Sequence, residues 1–237
     1  MAPRFAIVVF PGTWSDRDWM RALTEVAGAE AEHVFHLERS LRRFDAVVLP
    51  GGFSYGDYLR PGAIARFSPI MPAIAEFADA GGPVLGSCNG FQVLCEAGLL
   101  PGALMRNRSL EFRCQPQLLR VERAASPFTS AAAPGQVVTV PISHGDGNYY
   151  ADDDTLARME ANGQVALRYC GADGRPTPEA NPNGSRDNIA GVTNEAGNVL
   201  GLMPHPERVV EEALGGVDGL LFIRSMLAAL SGSPAAV

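Results

Sequence analysis

The chain has 237 residues, 46% of them hydrophobic and 19% charged, with a formal net charge of −7. That balance suits a chain with one substantial core and speaks against a nucleic-acid partner or an anionic membrane surface, both of which demand clustered Lys and Arg. Its four cysteines (Cys88, Cys95, Cys114, Cys170) show neither CxxC spacing nor His at metal-ligand intervals, which argues against a disulfide framework and a structural zinc.

The run from Phe5 to Phe10 is continuous and apolar, the mark of a strand buried on both faces. It is too short for a signal peptide's hydrophobic region, and Pro11-Gly12 breaks it. A helix follows, with Ser15 and Asp18 at capping-box spacing, Trp19, Met20, Leu23, Val26 and Ala27 on one face, and Gly28 as its stop. After a short strand near Glu32 to His36, Ala46 to Leu49 form a second buried run that ends in Pro50-Gly51-Gly52. Ile70, Met71, Ile74, Phe77 and Ala78 mark another amphipathic helix, closed by Gly81-Gly82. Pro83 to Gly86 is a third buried strand and Asn89 to Ala97 a third helix. This β-α-β-β-α-β-α order predicts an α/β fold, a mostly parallel central sheet flanked by helices. In such sheets ligands sit outside the carboxyl ends of the strands, where Pro50-Gly51-Gly52 and Gly86-Ser87-Cys88 both fall.

The second half adds strands at Leu118 to Val121, Gln136 to Ile142, Gln164 to Cys170, Ile189 to Thr193 and Val199 to Met203, the last two around an Asn194–Gly197 turn. These are the antiparallel additions expected to the sheet. Residues 171–187, rich in Pro, Gly and Asn, read as an exposed loop. A final helix holds Leu220, Ile223, Leu227 and Leu230, and 231–237 reads as a frayed tail. No linker divides the chain, so residues 1–237 are expected to form a single domain. No run approaches the roughly 18 apolar residues of a membrane helix, and a cytoplasmic location is expected.

Two short motifs carry chemistry. Gly86-Ser-Cys-Asn-Gly90 is a G-x-C-x-G, the cysteine form of a nucleophile elbow. Its glycines permit a sharp strand-to-helix turn that pushes the Cys88 sulfur outward at a helix N-terminus, where the macrodipole favours a thiolate. The backbone N–H of Asn89 then points where an oxyanion forms. The competing reading makes Cys88 a small core residue, with the glycines merely easing packing. His205-Pro-Glu207 follows another strand; two apart on extended backbone, the imidazole and carboxylate project to one side, and Pro206 stiffens the pair. A carboxylate beside an imidazole is the orienting arrangement of a triad.

The segments Leu49-Pro-Gly-Gly-Phe-Ser-Tyr-Gly-Asp57, Gly86-Ser-Cys-Asn-Gly-Phe-Gln92 and His205-Pro-Glu207 together resemble class I (triad-type) glutamine amidotransferases. Asp57 to Ala65, His144-Gly-Asp-Gly-Asn-Tyr149 and Met203 to Arg208 bring the likeness nearest to the small glutaminase subunits of phosphoribosylformylglycinamidine synthase. The sequence departs from that family's usual pattern at Ser87 and at Asp146. The resemblance implies a class I glutaminase-like fold with Cys88 as nucleophile, His205 as proton shuttle and Glu207 as its orienter. It also implies an oxyanion held by the Gly52 and Asn89 N–H groups, with Gln92 in the glutamine pocket. Ammonia would pass to an ATP-dependent synthetase subunit, with a small bridging third subunit. ATP and magnesium belong to the synthetase, and this chain has no Walker loop and no expected metal or cofactor of its own. A free-standing cysteine hydrolase would explain the elbow but not the Pro-Gly-Gly turn together with His-Pro-Glu.

Other candidates read as structural. His144 lies in a polar glycine-flanked loop, either beside the site or as a plain turn residue. His33 and His36 sit on a strand, and Cys95, Cys114 and Cys170 read as core thiols. Asp152-Asp-Asp154 reads as a turn or helix cap rather than a metal site.

Overall fold

The structure, a computed structural model, describes residues 2–232. The first half runs β1 (Arg4–Val9), α1 (Asp16–Arg21, continued by a π-helical turn over Ala22–Val26), β2 (Glu30–Phe35), β3 (Ala46–Leu49), α2 (Met71–Asp79), β4 (Val84–Ser87) and α3 (Asn89–Glu96). The second half runs β5 (Ala103–Met105), β6 (Arg113–Val121), β7 (Val137–His144), β8 (Asn148–Tyr150), α4 (Asp153–Ala161), β9 (Val165–Tyr169), β10 (Ile189–Thr193), β11 (Val199–Leu202) and α5 (Leu220–Ser231). Among the described residues, nine strands form one mixed sheet in the order β2-β1-β3-β4-β11-β10-β9-β6-β7, and β5 pairs with β8 apart from it. Pairing is parallel from β2 through β11 and antiparallel from there to β7.

The unbroken apolar runs have a simple cause. Side chains alternate across a strand, so Phe5 and Ile7 of β1 meet one face of the sheet while Ala6 and Val8 meet the other. Trp19 and Leu23 of the first helix and Phe222, Ile223 and Met226 of α5 cover the first face. Ile74 of α2 and Phe91 and Leu94 of α3 cover the second. With helices on both sides, every residue of β3 and β4 is buried, and each large aliphatic or aromatic side chain among them contributes about 1.5–3 kcal/mol. No described helix is long and apolar enough to cross a membrane.

Several expectations are corrected. The capping box at Ser15 does not form, because the Ser15 hydroxyl turns from the helix to Gly51, a residue far along the chain. The 171–187 segment is not simply exposed: Asn183 and Ser185 are buried, and both donate to the Gly147 carbonyl. Short Asn and Ser side chains satisfy backbone groups there that a loop would otherwise leave to water. Cys114 is exposed rather than in the core, since β9 pairs with β6 only from Leu119 to Val121 and leaves the start of β6 uncovered. The sequence pattern does not announce β5, β8 or α4. Of the expected frayed tail, Ser231 still belongs to α5 and Gly232 caps it in a left-handed conformation; 233–237 lie outside the described residues.

Candidate active site

Strands β3, β4 and β11 are neighbours and run parallel, so the segments leaving their carboxyl ends converge. They carry Gly51-Gly52, Cys88 and His205 respectively. Cys88 stands between β4 and α3 with φ 49° and ψ −107°, a backbone state that costs a non-glycine residue about 1–3 kcal/mol. The elbow is held shut around it. The Cys88 N–H donates to the Leu202 carbonyl at 2.8 Å, and a side chain at Gly90 would strike the backbone of Leu49. One at Gly86 would come within 2.7 Å of the Gly90 carbonyl. The thiol is 5% exposed and lies 3.6 Å from the Ser143 carbonyl at the end of β7.

His205 and Glu207 are both buried, and His205 Nδ1–H donates to Glu207 Oε1 at 2.7 Å. The expected extended link is replaced by a 3-10 turn over Pro206–Arg208, which the fixed φ of Pro206 favours at its first position. The His205 N–H donates to the Pro141 carbonyl at 2.8 Å, which ties this turn to β7. With Nδ1 engaged, Nε2 is the free ring nitrogen, buried and without a hydrogen-bond partner. Burial opposes charge on the ring, but the Glu207 carboxylate and then Cys88 outweigh it, and the His205 pKa is raised to about 10. Cys88 is near enough to act on that charge, yet its sulfur is turned to Ser143 rather than into hydrogen-bond geometry with Nε2.

Gly51 joins these groups. A side chain there would come within 2.6 Å of His205 Cε1 and 3.2 Å of the Cys88 Cβ, so both pack on the same glycine. Gly52 has φ 152° and no room for a Cβ, which would lie 2.6 Å from the Gly12 carbonyl. The bridge between Thr13 and Gly52 is made by Trp14 N–H to Gly51 O and Phe53 N–H to Gly12 O, so the Gly52 N–H faces away from it. The Asn89 N–H, first in α3, has no acceptor within the helix. Its side chain accepts from the Ser54 N–H at 3.0 Å and donates to Gln92 Oε1 at 2.8 Å. Gln92 Nε2 donates to the Asp146 carbonyl at 2.7 Å, so its amide fastens the 144–147 loop to α3. That bond uses the backbone of Asp146, and the departure there leaves it intact. The Ser87 hydroxyl, the other departure, accepts from Trp19 Nε1–H at 3.0 Å and ties the first helix to the elbow.

His144 lies near His205. Its Nδ1–H donates to Asn107 Oδ1 at 3.2 Å, and Asn183 Nδ2 approaches Nε2 at 3.5 Å. Burial, and then the charge of nearby His205, lower its pKa to about 4, so it is neutral and structural. Asp57, beside Asn89, is pushed up to about 6, by burial first and by Asp146 second. A cleft of about 840 Å³ lined by Arg108, Arg113 and Asn183 among others contains none of Cys88, His205 and Glu207; chemistry rather than volume marks the site. No described group of three His, Cys, Asp or Glu side chains is arranged to hold a metal, and Asp152 caps α4 by accepting from the Thr155 N–H at 2.7 Å.

Ser15, Trp19, Pro141, Ser143, Asn107 and Asn183 touch or brace the site, and the sequence points to none of them for it. Pro141 and Ser143 act through carbonyl oxygens, which any residue supplies, so no sequence signal marks them. The two Asn act through partners that only the fold brings near.

An elbow thiol stands beside a buried imidazole–carboxylate pair at the carboxyl edge of a parallel sheet, the arrangement of a nucleophilic cysteine site. A family model described as the CobB/CobQ-like glutamine amidotransferase domain matches residues 2–215, and the chain belongs to that family. It is 62% identical to the phosphoribosylformylglycinamidine synthase subunit PurQ of Salinibacter ruber, over 96% of this chain and 97% of that one. The PurQ subunit of Moorella thermoacetica is 58% identical over 94% and 95% of the two chains. Among solved structures, a chain in the structure of PurLQS from Thermotoga maritima superposes with a TM-score of 0.86 at 46% identity, covering 97% of this chain and all of that one.

Proposed function

We propose that the chain is the glutaminase subunit of a phosphoribosylformylglycinamidine synthase, folded as one glutaminase domain, in which Cys88, His205 and Glu207 are the catalytic triad. The observation that carries the reading is the packing of the strained Cys88 elbow and the His205–Glu207 pair against one glycine, Gly51. Cys88 Sγ attacks the side-chain amide carbon of glutamine, and the oxyanion is held by the Gly52 and Asn89 N–H groups. His205 Nε2 protonates the departing nitrogen while Glu207 stabilises the imidazolium. Ammonia leaves, water gives a proton to His205 Nε2 as it attacks the thioester through the same oxyanion site, and the carbon–sulfur bond breaks to release glutamate, the proton returning to the Cys88 sulfur. Gln92 forms part of the pocket wall by holding the 144–147 loop in place.

In the same reading ammonia passes to an ATP- and magnesium-dependent synthetase subunit, with a small third subunit bridging the two, all in the cytoplasm. There it converts formylglycinamide ribonucleotide to the amidine. The likeness to a chain of the Thermotoga maritima PurLQS structure and to the PurQ subunit of Salinibacter ruber supports the assembly. In the reconstituted complex, Cys88→Ala should abolish glutamine-dependent ADP release with the ribonucleotide present, while a high concentration of ammonium salt should restore it. Activity of the variant with glutamine would remove Cys88 from its role. Failure of ammonia to rescue an assembled complex would overturn the division of labour.

A further inference from the structure

The polar groups of Gly51 are held entirely by the segment that enters the first helix. The Gly51 N–H donates to Ser15 Oγ at 2.8 Å, and the Gly51 carbonyl accepts from the Trp14 N–H at 3.0 Å and the Ser15 N–H at 3.1 Å. The Ser15 hydroxyl also stands 3.4 Å from that carbonyl oxygen. Ser15 is fully buried, in the position of a helix cap, yet its side chain makes no bond to its own helix. A cap hydrogen bond is worth about 1 kcal/mol, so its diversion to Gly51 calls for a reason outside the helix.

Peptide geometry supplies one. A trans peptide is planar, and its C=O and N–H point in opposite directions. Fixing the Gly51 carbonyl toward Trp14 and Ser15 therefore fixes the Gly52 N–H away from them. Two glycines in succession would otherwise let this peptide rotate, because neither has a Cβ to restrict it. The same entry segment also reaches the elbow, through Trp19 Nε1–H and the Ser87 hydroxyl.

We propose that Ser15 is a positioning residue for the oxyanion hole: its hydroxyl accepts from the Gly51 N–H and donates to the Gly51 carbonyl, so it braces the peptides on both sides of Gly51 alongside the Trp14 and Ser15 N–H groups and helps aim the Gly52 N–H. The inference rests on the reading of Gly52 as an oxyanion donor. Its effect is selective. Attack of Cys88 on glutamine passes through an oxyanion, whereas alkylation of the same thiol by iodoacetamide is a direct displacement that forms none. Ser15→Ala should lower kcat for glutamate release about 10- to 100-fold, less than the 10²–10³ of losing a donor outright, with KM little changed. The rate of Cys88 alkylation, followed by peptide mapping, should stay at the wild-type value, and Ser15→Thr, which keeps the hydroxyl, should recover most of kcat. An unchanged kcat in Ser15→Ala overturns the proposal. So does a parallel fall in alkylation, which would make Ser15 a prop for the elbow as a whole. If Ser15→Ala does not fold, Ser15→Cys takes its place: the thiol is a weaker partner and must show the same split, and wild-type kcat in it is again fatal. Cys88→Ala, run beside these, separates this inference from the reading beneath it. Glutaminase activity surviving in that variant defeats the nucleophile assignment, whereas a dead Cys88→Ala with a fully active Ser15→Ala defeats only the role of Ser15.

Discussion

In the parallel half of the sheet, β3, β4 and β11 end in the segments that carry Gly51, Cys88 and His205. The antiparallel half offers no reacting side chain; it reaches the same place with the Ser143 carbonyl near Cys88, the Pro141 carbonyl on the His205 N–H, and His144 wedged between Asn107 and Asn183. The difference teaches how the work is divided. Parallel strands share a direction, so their carboxyl ends bring three separate loops to one point. Antiparallel strands scatter their ends, and β7 serves as a wall whose backbone holds the loops still. Changes on the parallel side should therefore cost rate, and changes on the antiparallel side should cost stability first.

The largest expected effect lies on the parallel side. Glu207→Gln keeps the shape of the side chain but not the charge that stabilises the imidazolium, and should lower kcat by about 10⁴ with the fold intact. His205 should lose its raised pKa with the carboxylate, which an NMR titration of the imidazole can follow alongside glutamate release. A variant with wild-type turnover would mean that the buried pair is only structural.

On the antiparallel side, Asn107 is the test. Its Nδ2 donates to the Glu111 and His144 carbonyls, both at 2.9 Å, and its Oδ1 accepts from His144 Nδ1–H and from the Gly147 N–H at 3.0 Å. Asn107→Ala orphans these buried groups and should destabilise the chain by about 1–3 kcal/mol in urea unfolding. Turnover of the folded fraction should fall far less than in Glu207→Gln. A loss of turnover as deep as that of Glu207→Gln, with stability unchanged, would break the comparison between the halves.

The same division governs what can be read from the residues alone. Phe5 to Phe10 and Ala46 to Leu49 are legible because helices cover both faces of those strands and leave no polar positions to confuse the pattern. The Cys88 elbow and His205-Pro-Glu207 are legible because their chemistry is local in sequence. By contrast, α4 buries only Leu156 and Met159, too few for a clear period, and β5 and β8 are three residues each. Ser15 reads as a cap by every local rule and is claimed instead by Gly51, a competition that only tertiary structure decides.

The smallest effect is a pH dependence set where the halves meet. Asp57 follows β3, and the Asp146 that helps raise its pKa to about 6 sits in the loop after β7. Between the ordinary carboxyl value near 3.8 and about 6 the folded chain holds more proton at Asp57 than the unfolded chain does. Stability from this group therefore falls as pH rises through that window, and above it the charged carboxylate is a net cost. His144 acts in the opposite sense. Its pKa is lowered to about 4 from 6.5, so the unfolded chain binds more proton, and stability is lost as pH falls through the same range. The two slopes offset each other in the wild type. Asp57→Asn removes one of them. Its stability in urea unfolding should exceed that of the wild type at pH 7 by on the order of 1 kcal/mol, after discounting for the partial exposure of Asp57. The advantage should shrink toward zero near pH 4, leaving the His144 slope uncovered. An advantage that is constant with pH would trace the gain to something other than the charge Asp57 shares with Asp146.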